Sequence, residues 1–200
     1  MSRVVIVDAG GANIGSVRYA LQRLGVDAPL SGDAAMIRAA ERVILPGVGS
    51  AGAAMQRLHE LELVQTLRDL RQPLLGICVG MQVLFERSKE GDVACLGLLQ
   101  GEVGKLPESD SVRVPHIGWN RVRHRGESGL FEGTADGAFA YFVHGFAAPA
   151  TSDCIATCEH GVKFAAAVQR GHLVGVQFHP ERSATFGAQV LRNFLEFAPA

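Results

Sequence analysis

Along the first half of the chain, short apolar runs alternate with segments of helical period. RVVIVD (3–8) reads as a buried strand, and Ile14, Val17, Leu21 and Leu24 then recur at helical spacing. Gly25 stands where a helix C-terminus is expected to be capped. RVILP (42–46) is a second strand, and Leu58, Leu61, Val64 and Leu67 mark one further helix that should end before Pro73. PLLGI (73–77) predicts a third strand, followed by a helix carrying Met81, Leu84 and Phe85. Strand–helix alternation of this kind calls for parallel strands with helices on both faces.

The second half changes period. LLQGEVGKL, WNRVRHR, AFAYFV, DCIATCEH, VKFAAAVQR and LVGVQFH are short strands parted by Gly, Asp or Ser turns. His160-Gly161 and Arg170-Gly171-His172 read as hairpin connections, and Ala188, Leu191, Phe194 and Leu195 mark a last helix. With no internal repeat or linker, the reading is a single α/β domain over 1–200. It has a mostly parallel central sheet, helices on both faces and additional antiparallel strands.

Composition narrows the class. A chain of 200 residues that is 48% hydrophobic and 20% charged is globular, and a net charge of -1 offers no basic field for nucleic acid or an anionic membrane. No 18-residue apolar span is present, and MSRVVIVDAGG reads as a first strand rather than a signal peptide, so a cytoplasmic protein is expected. Cys78, Cys95, Cys154 and Cys158 form no CxxC pair and read as free thiols. Cys154, Cys158 and His160 lack the spacing of common zinc sites, so no metal is expected. Arg121 to Arg125 reads as a solvated strand face.

Two glycine-rich turns invite a nucleotide reading. GGANIG (10–15) lacks the Lys-Ser/Thr of a P-loop and reads as a turn that opens the first helix. GVGSAG (47–52) matches G-x-G-x-x-G between a strand and a helix, but the next strand ends in Cys78 where a ribose-binding acid is required. Backbone N–H groups turned toward a developing negative charge fit this turn better than a cofactor.

Gly76-Ile77-Cys78-Val79-Gly80 has the spacing of a nucleophile elbow, with cysteine at the apex of a strand-to-helix turn. The glycines relieve crowding, the helix N-terminus behind Cys78 favours thiolate, and the Val79 N–H faces a forming oxyanion. The bland alternative is a buried structural cysteine. In GVQFHPERS (175–183), His179 ends a strand and Glu181 follows on the same face if the chain stays extended. A carboxylate at Nδ1 fixes the imidazole tautomer and turns Nε2 toward the nucleophile. His144 also ends a strand, and either lines the same cleft or caps it.

VDAGGANIGSV, LPGVGSAGAAM, GICVGMQVLFE, VPHIGWN, YFVHGF and GVQFHPERS together resemble the class I glutamine amidotransferases, in an order that covers nearly the whole chain. Within that class the closer resemblance is to the glutaminase subunits of imidazole glycerol phosphate synthases. It implies a flavodoxin-like fold and a Cys-His-Glu triad of Cys78, His179 and Glu181. It also implies an oxyanion strand of Gly47, Val48 and Gly49, and substrate contacts from Gln82 and the Val143–His144–Gly145 backbone. No cofactor is implied. The chain departs from the usual family pattern with Ala9 and Ala12 in the first turn, Gly145 for Ser or Thr, and Arg182 for Lys.

The resemblance further implies hydrolysis of L-glutamine, with ammonia delivered to a (β/α)8-barrel cyclase subunit in a heterodimer. That reaction yields imidazole glycerol phosphate and AICAR in histidine biosynthesis. The glutaminase accounts for all 200 residues, which assigns the ammonia acceptor to another chain. Trp119, a large aromatic in a Gly-rich loop, is the best anchor for that partner, with Asn13 and Arg182 nearby. The rivals are another stand-alone glutaminase, a γ-glutamyl hydrolase acting alone, or a non-catalytic binding protein on the same scaffold.

Overall fold

The computed structural model describes residues 4–10, 14–124 and 128–198. The first half runs β1 (Val4–Val7), α1 (Ile14–Arg23), β2 (Leu30–Ser31), α2 (Ala34–Ala39) and β3 (Arg42–Gly47). It continues through α3 (Ala51–Glu60), α4 (Leu63–Arg68), β4 (Leu74–Cys78) and the single turn α5 (Val79–Gln82). The second half begins with β5 (Arg87–Ser88), β6 (Val93–Ala94), β7 (Glu102–Lys105), β8 (His116–Arg121) and β9 (Arg123–His124). There follow β10 (Phe139–His144), β11 (Phe146–Ala147), β12 (Cys154–His160), β13 (Val162–Arg170), β14 (Leu173–Val176) and α6 (Ala184–Glu196).

The main sheet has the order β2-β1-β3-β4-β14-β13-β12-β9. Its first five strands are parallel and the remaining pairings are antiparallel, as the change of period at mid-chain predicts. β1, β4 and β14 are buried throughout, which is why they read as unbroken apolar runs rather than alternating ones. Right-handed crossovers put α1 on one face and α2, α3 and α4 on the other, and α4 accordingly packs against both α2 and α3. The predicted hairpins are present, with Gly161 and Gly171 at positive φ between their antiparallel strands. β8 and β10 form a separate antiparallel ribbon, and β11-β7-β5-β6 a small second sheet.

Two expectations need correction. The single helix through Leu58, Leu61, Val64 and Leu67 is two helices, with Glu62 left-handed between them at φ 55°. Ala51, Ala54, Met55 and Leu58 form one buried stripe, and Leu63, Thr66, Leu67 and Leu70 another. The five-residue step from Leu58 to Leu63 turns the second stripe about 140° off the first, so no straight helix buries both. The helix after Cys78 is only one turn, because the Leu84 and Phe85 N–H groups bond three residues back, to Met81 O and Gln82 O, instead of four. Its macrodipole is therefore slight, and local N–H groups carry what anion stabilisation the turn provides.

Candidate active site

The carboxyl ends of β3, β4 and β14 lie side by side, and Gly47 is in register with Cys78. An open α/β sheet places its ligand cleft at this edge. Cys78 adopts φ 54° and ψ -113°, a strained conformation for a residue with a side chain. The strain is held by packing that only glycine permits. A Cβ at Gly76 would lie 2.6 Å from the Gly80 carbonyl oxygen, and one at Gly80 would fall on the Leu45 carbonyl oxygen. Strand end, turn and neighbouring strand thus close on one another backbone to backbone, which is the physical reason for a cysteine between two glycines.

Beyond β14 the chain bends at Gln177 and Phe178, His179 is extended, and Pro180 opens a single 3-10 turn that ends at Arg182. Glu181 Oε1 stands 2.9 Å from His179 Nδ1, with both side chains buried. Nδ1 therefore donates to the carboxylate, and the ring lines the same cleft as Cys78. Burial alone would lower the His179 pKa, but Cys78 and Glu181 outweigh it and raise the imidazole to about 10. The ring is therefore held as imidazolium. The segment is tied to the β8–β10 ribbon: His179 N–H donates to Tyr141 O at 2.9 Å, and Ser183 Oγ bridges Tyr141 N–H and His179 O.

Cys78 opens into a cleft of about 290 Å³. Val48, Gly49, Val79, Gln82 and the Val143–His144–Gly145 segment line it. Gly47 does not reach it. Its backbone is committed to pairing with β4, so it lies behind the cleft, beside His179 and Glu181. The other three thiols are poor nucleophiles by environment: burial pushes Cys95 up to about 11, Cys158 up to about 12, and Cys154 upward.

Glu90, Phe146 and Gln177 went unrecognised in the sequence. Glu90 lines the cleft and accepts from Ala51 N–H at 2.9 Å. A carboxylate thus occupies the helix N-terminus that the G-x-G-x-x-G turn would offer to a phosphate. Gln177 is fully buried, with Nε2 3.6 Å from Cys78 Sγ. Its position two residues before His179 in the run LVGVQFH was a legible signal, although β14 itself ends at Val176; that of Glu90, in a turn, was not. Gln82 Nε2 donates to Phe146 O at 2.8 Å and to Gln177 Oε1 at 2.9 Å, while its buried Oε1 has no partner among the described residues. The His144 side chain is engaged inward, with Nδ1 2.8 Å from Phe146 O and Nε2 3.0 Å from His116 Nδ1, so only its backbone faces the cleft.

Trp119 lies on β8 rather than in a loop, because pairing with Tyr141 of β10 continues through it. It is 52% exposed, and Ile117, Phe139 and Val143 beside it are also exposed. Arg182 stacks on Tyr141 at 4.8 Å, which brings it into the same patch. Asn13 lies outside the described residues.

A strained cysteine thus lies near a carboxylate-held imidazolium at the edge of a parallel sheet. The chain belongs to the class-I glutamine amidotransferases, whose family model matches residues 5–197. Among full-length relatives it is 58% identical over 198 residues to the imidazole glycerol phosphate synthase subunit HisH of Xanthomonas axonopodis pv. citri, covering 99% of each chain. It is 56% identical to the HisH subunit of Xylella fastidiosa strain Temecula1, covering 100% of both chains. Solved structures share the fold at lower identity. A glutamine amidotransferase structure superposes with a TM-score of 0.75 at 19% identity, over 96% of this chain and 97% of that one. PurLQS from Thermotoga maritima gives 0.71 at 19%, over 98% and 99%.

Proposed function

We propose that this chain is the glutaminase of an imidazole glycerol phosphate synthase. It would hydrolyse L-glutamine and hand the ammonia to a (β/α)8-barrel cyclase subunit that forms imidazole glycerol phosphate and AICAR in histidine biosynthesis. Cys78 attacks the glutamine Cδ as a thiolate while the His179 imidazolium holds the proton on Nε2. The oxyanion is received by the Val79 N–H and the Val48–Gly49 peptide. As the C–N bond breaks, His179 passes that proton to the leaving ammonia. A water then attacks the γ-glutamyl thioester, loses its proton to His179, and frees glutamate with the thiolate and imidazolium restored. Glu181 holds the ring and stabilises its charged form throughout. The Glu90 carboxylate, which lines the cleft, is an acceptor for the substrate α-ammonium.

One observation carries the partner assignment. The outer face of the β8–β10 ribbon is apolar and exposed, through Ile117 at 62%, Trp119 at 52%, Phe139 at 48% and Val143 at 37%. Val143 also lines the cleft, so a protein seated on this face covers the cleft mouth. Arg121 over Phe139 at 4.6 Å and Arg182 over Tyr141 supply a cationic rim. Ammonia released to open water becomes non-nucleophilic ammonium, so a covered mouth is what the chemistry requires. The test is steady-state glutamine hydrolysis with the chain titrated by the histidine-pathway cyclase and, separately, by the pyridoxal phosphate synthase barrel. Strong activation by the first alone supports the assignment; full activity without either removes it.

A further inference from the structure

The mechanism above leaves a buried polar chain unused. Its directions follow from one atom, because the Phe146 carbonyl oxygen only accepts. His144 Nδ1, 2.8 Å away, is therefore the donor, and its Nε2 accepts from His116 Nδ1–H at 3.0 Å. His116 Nε2 in turn accepts from Asn120 Nδ2, whose amide is oriented by Arg121 N–H donating to Oδ1 at 2.8 Å. Burial, reinforced for His116 by its imidazole neighbours, lowers His116 to about 3 and His144 to about 4, so both rings remain neutral at working pH. Phe146 O also orients Gln82, whose Nε2 donates to it and to Gln177 Oε1. With its oxygen occupied, Gln177 has only its NH₂ group left to face Cys78 Sγ.

We propose that Gln177 is a fourth member of the catalytic set: its amide donates to the Cys78 sulfur and stabilises the thiolate. The inference rests on Cys78 being the nucleophile. The protonated thiol has a different neighbour, the Val143 carbonyl oxygen at 3.9 Å, which accepts from S–H but repels S⁻. Gln177 does the reverse, so the two contacts divide the protonation states between them. The one-turn helix behind Cys78 leaves room for such a donor to matter, and the amide is fully buried where water does not compete with it. Among the described residues, the titratable groups around Cys78 are His179 with Glu181 from beyond β14, His144 from β10, and Glu90 across the cleft. His144 stays neutral, which leaves His179 and Glu90 as the charges that act alongside the amide.

The experiment follows iodoacetamide alkylation of the isolated chain against pH, with each cysteine peptide quantified by mass spectrometry. In Gln177→Leu the midpoint for Cys78 should move up by about one pH unit, a roughly tenfold slower alkylation below it. Gln177→Glu keeps the shape but sets a carboxylate against the sulfur, and should move the midpoint further. Should both variants fail to fold, the wild-type protein still decides: the Gln177 side-chain ¹⁵N–H resonances must shift with the Cys78 midpoint and again on alkylation. Cys78 labelling with an unchanged midpoint in either folded variant, or Gln177 resonances indifferent to Cys78, overturns the proposal. Dominant labelling of Cys95, Cys154 or Cys158 instead would overturn the choice of nucleophile, and the Gln177 assignment with it.

Discussion

Replacing Glu181 by Gln preserves the shape of the His179 contact and removes its charge. The contact is a 2.9 Å hydrogen bond between side chains that are 7% and 0% exposed, so solvent does little to screen it. Hydrogen bonds to a charged group are worth about 1.5–3 kcal/mol, and each pKa unit corresponds to about 1.4 kcal/mol. Glu181 thus accounts for roughly one to two units of the rise in His179, with Cys78 supplying the rest. Activity needs His179 protonated to release ammonia. The alkaline limb of kcat/KM should therefore lie near the imidazole's value of about 10 and fall to about 8 or 9 in Glu181→Gln.

Rate should fall about 10- to 100-fold at neutral pH, less than in a serine triad, because a thiolate depends less on its base. The stability linkage has a definite sign. A folded pKa above the unfolded value of 6.5 stabilises the fold fully below pH 6.5, and that contribution is lost as pH rises toward about 10. Wild type should therefore lose more stability than Glu181→Gln between those limits. The assays are initial-rate pH profiles of the cyclase complex and thermal unfolding across the same pH range. An alkaline limb that does not move would refute the reasoning and reduce Glu181 to packing.

Three further outcomes follow from the same geometry. Cys78→Ala should abolish hydrolysis and leave the fold intact, because alanine keeps the Cβ and with it the strain of φ 54°, so the melting temperature should stay near wild type; residual turnover would mean another nucleophile. Trp119→Ala should weaken cyclase binding about 30-fold or more, as expected for a central aromatic anchor, and full activation at wild-type cyclase concentrations would remove Trp119 from the interface. Gly80→Ala drives a Cβ into the Leu45 carbonyl oxygen, where neither partner is a movable side chain, and should cost about 3 kcal/mol, or roughly 6–12 °C in melting temperature. A Gly80→Ala protein that melts with wild type would mean that the elbow has slack it does not display.

The parallel strands were legible because burial on both faces leaves an unambiguous apolar run, and the proposed triad could be picked out because an elbow cysteine and a His-x-Glu pair are local patterns. The break at Glu62 was misread for a related reason: spacings of three suggest one helix, and only the burial of Leu63 and Thr66 shows that the stripe changes phase. The inner face of VPHIGWN was opaque. β-strand alternation puts Ile117, Trp119 and Arg121 outward and His116 and Asn120 inward, but nothing in the sequence says what the inner residues meet. Their partners lie on β10 and β12, at separations no local pattern spans: Asn120 Nδ2 also donates to Glu159 O, and His116 stacks on His160 at 4.1 Å.

That inner face connects two parts of the proposed function that otherwise stand apart. The residues that would meet a partner and those that begin the buried chain alternate along one strand, β8. A change in its twist on docking would therefore move His116 and Asn120 together with Trp119. β10, paired to it throughout, carries Tyr141, whose carbonyl holds His179 N–H, and Val143, whose carbonyl faces the Cys78 thiol. Two routes thus run from the exposed ribbon to the reacting atoms: a short one through the β10 backbone to both His179 and Cys78, and a longer one through the imidazoles and amides to Cys78. The short route acts on the base as well as the nucleophile, whereas the long one ends on the nucleophile alone. A partner that pressed on the ribbon would on this geometry set the alignment of the pair through the first and the charge state of the sulfur through the second.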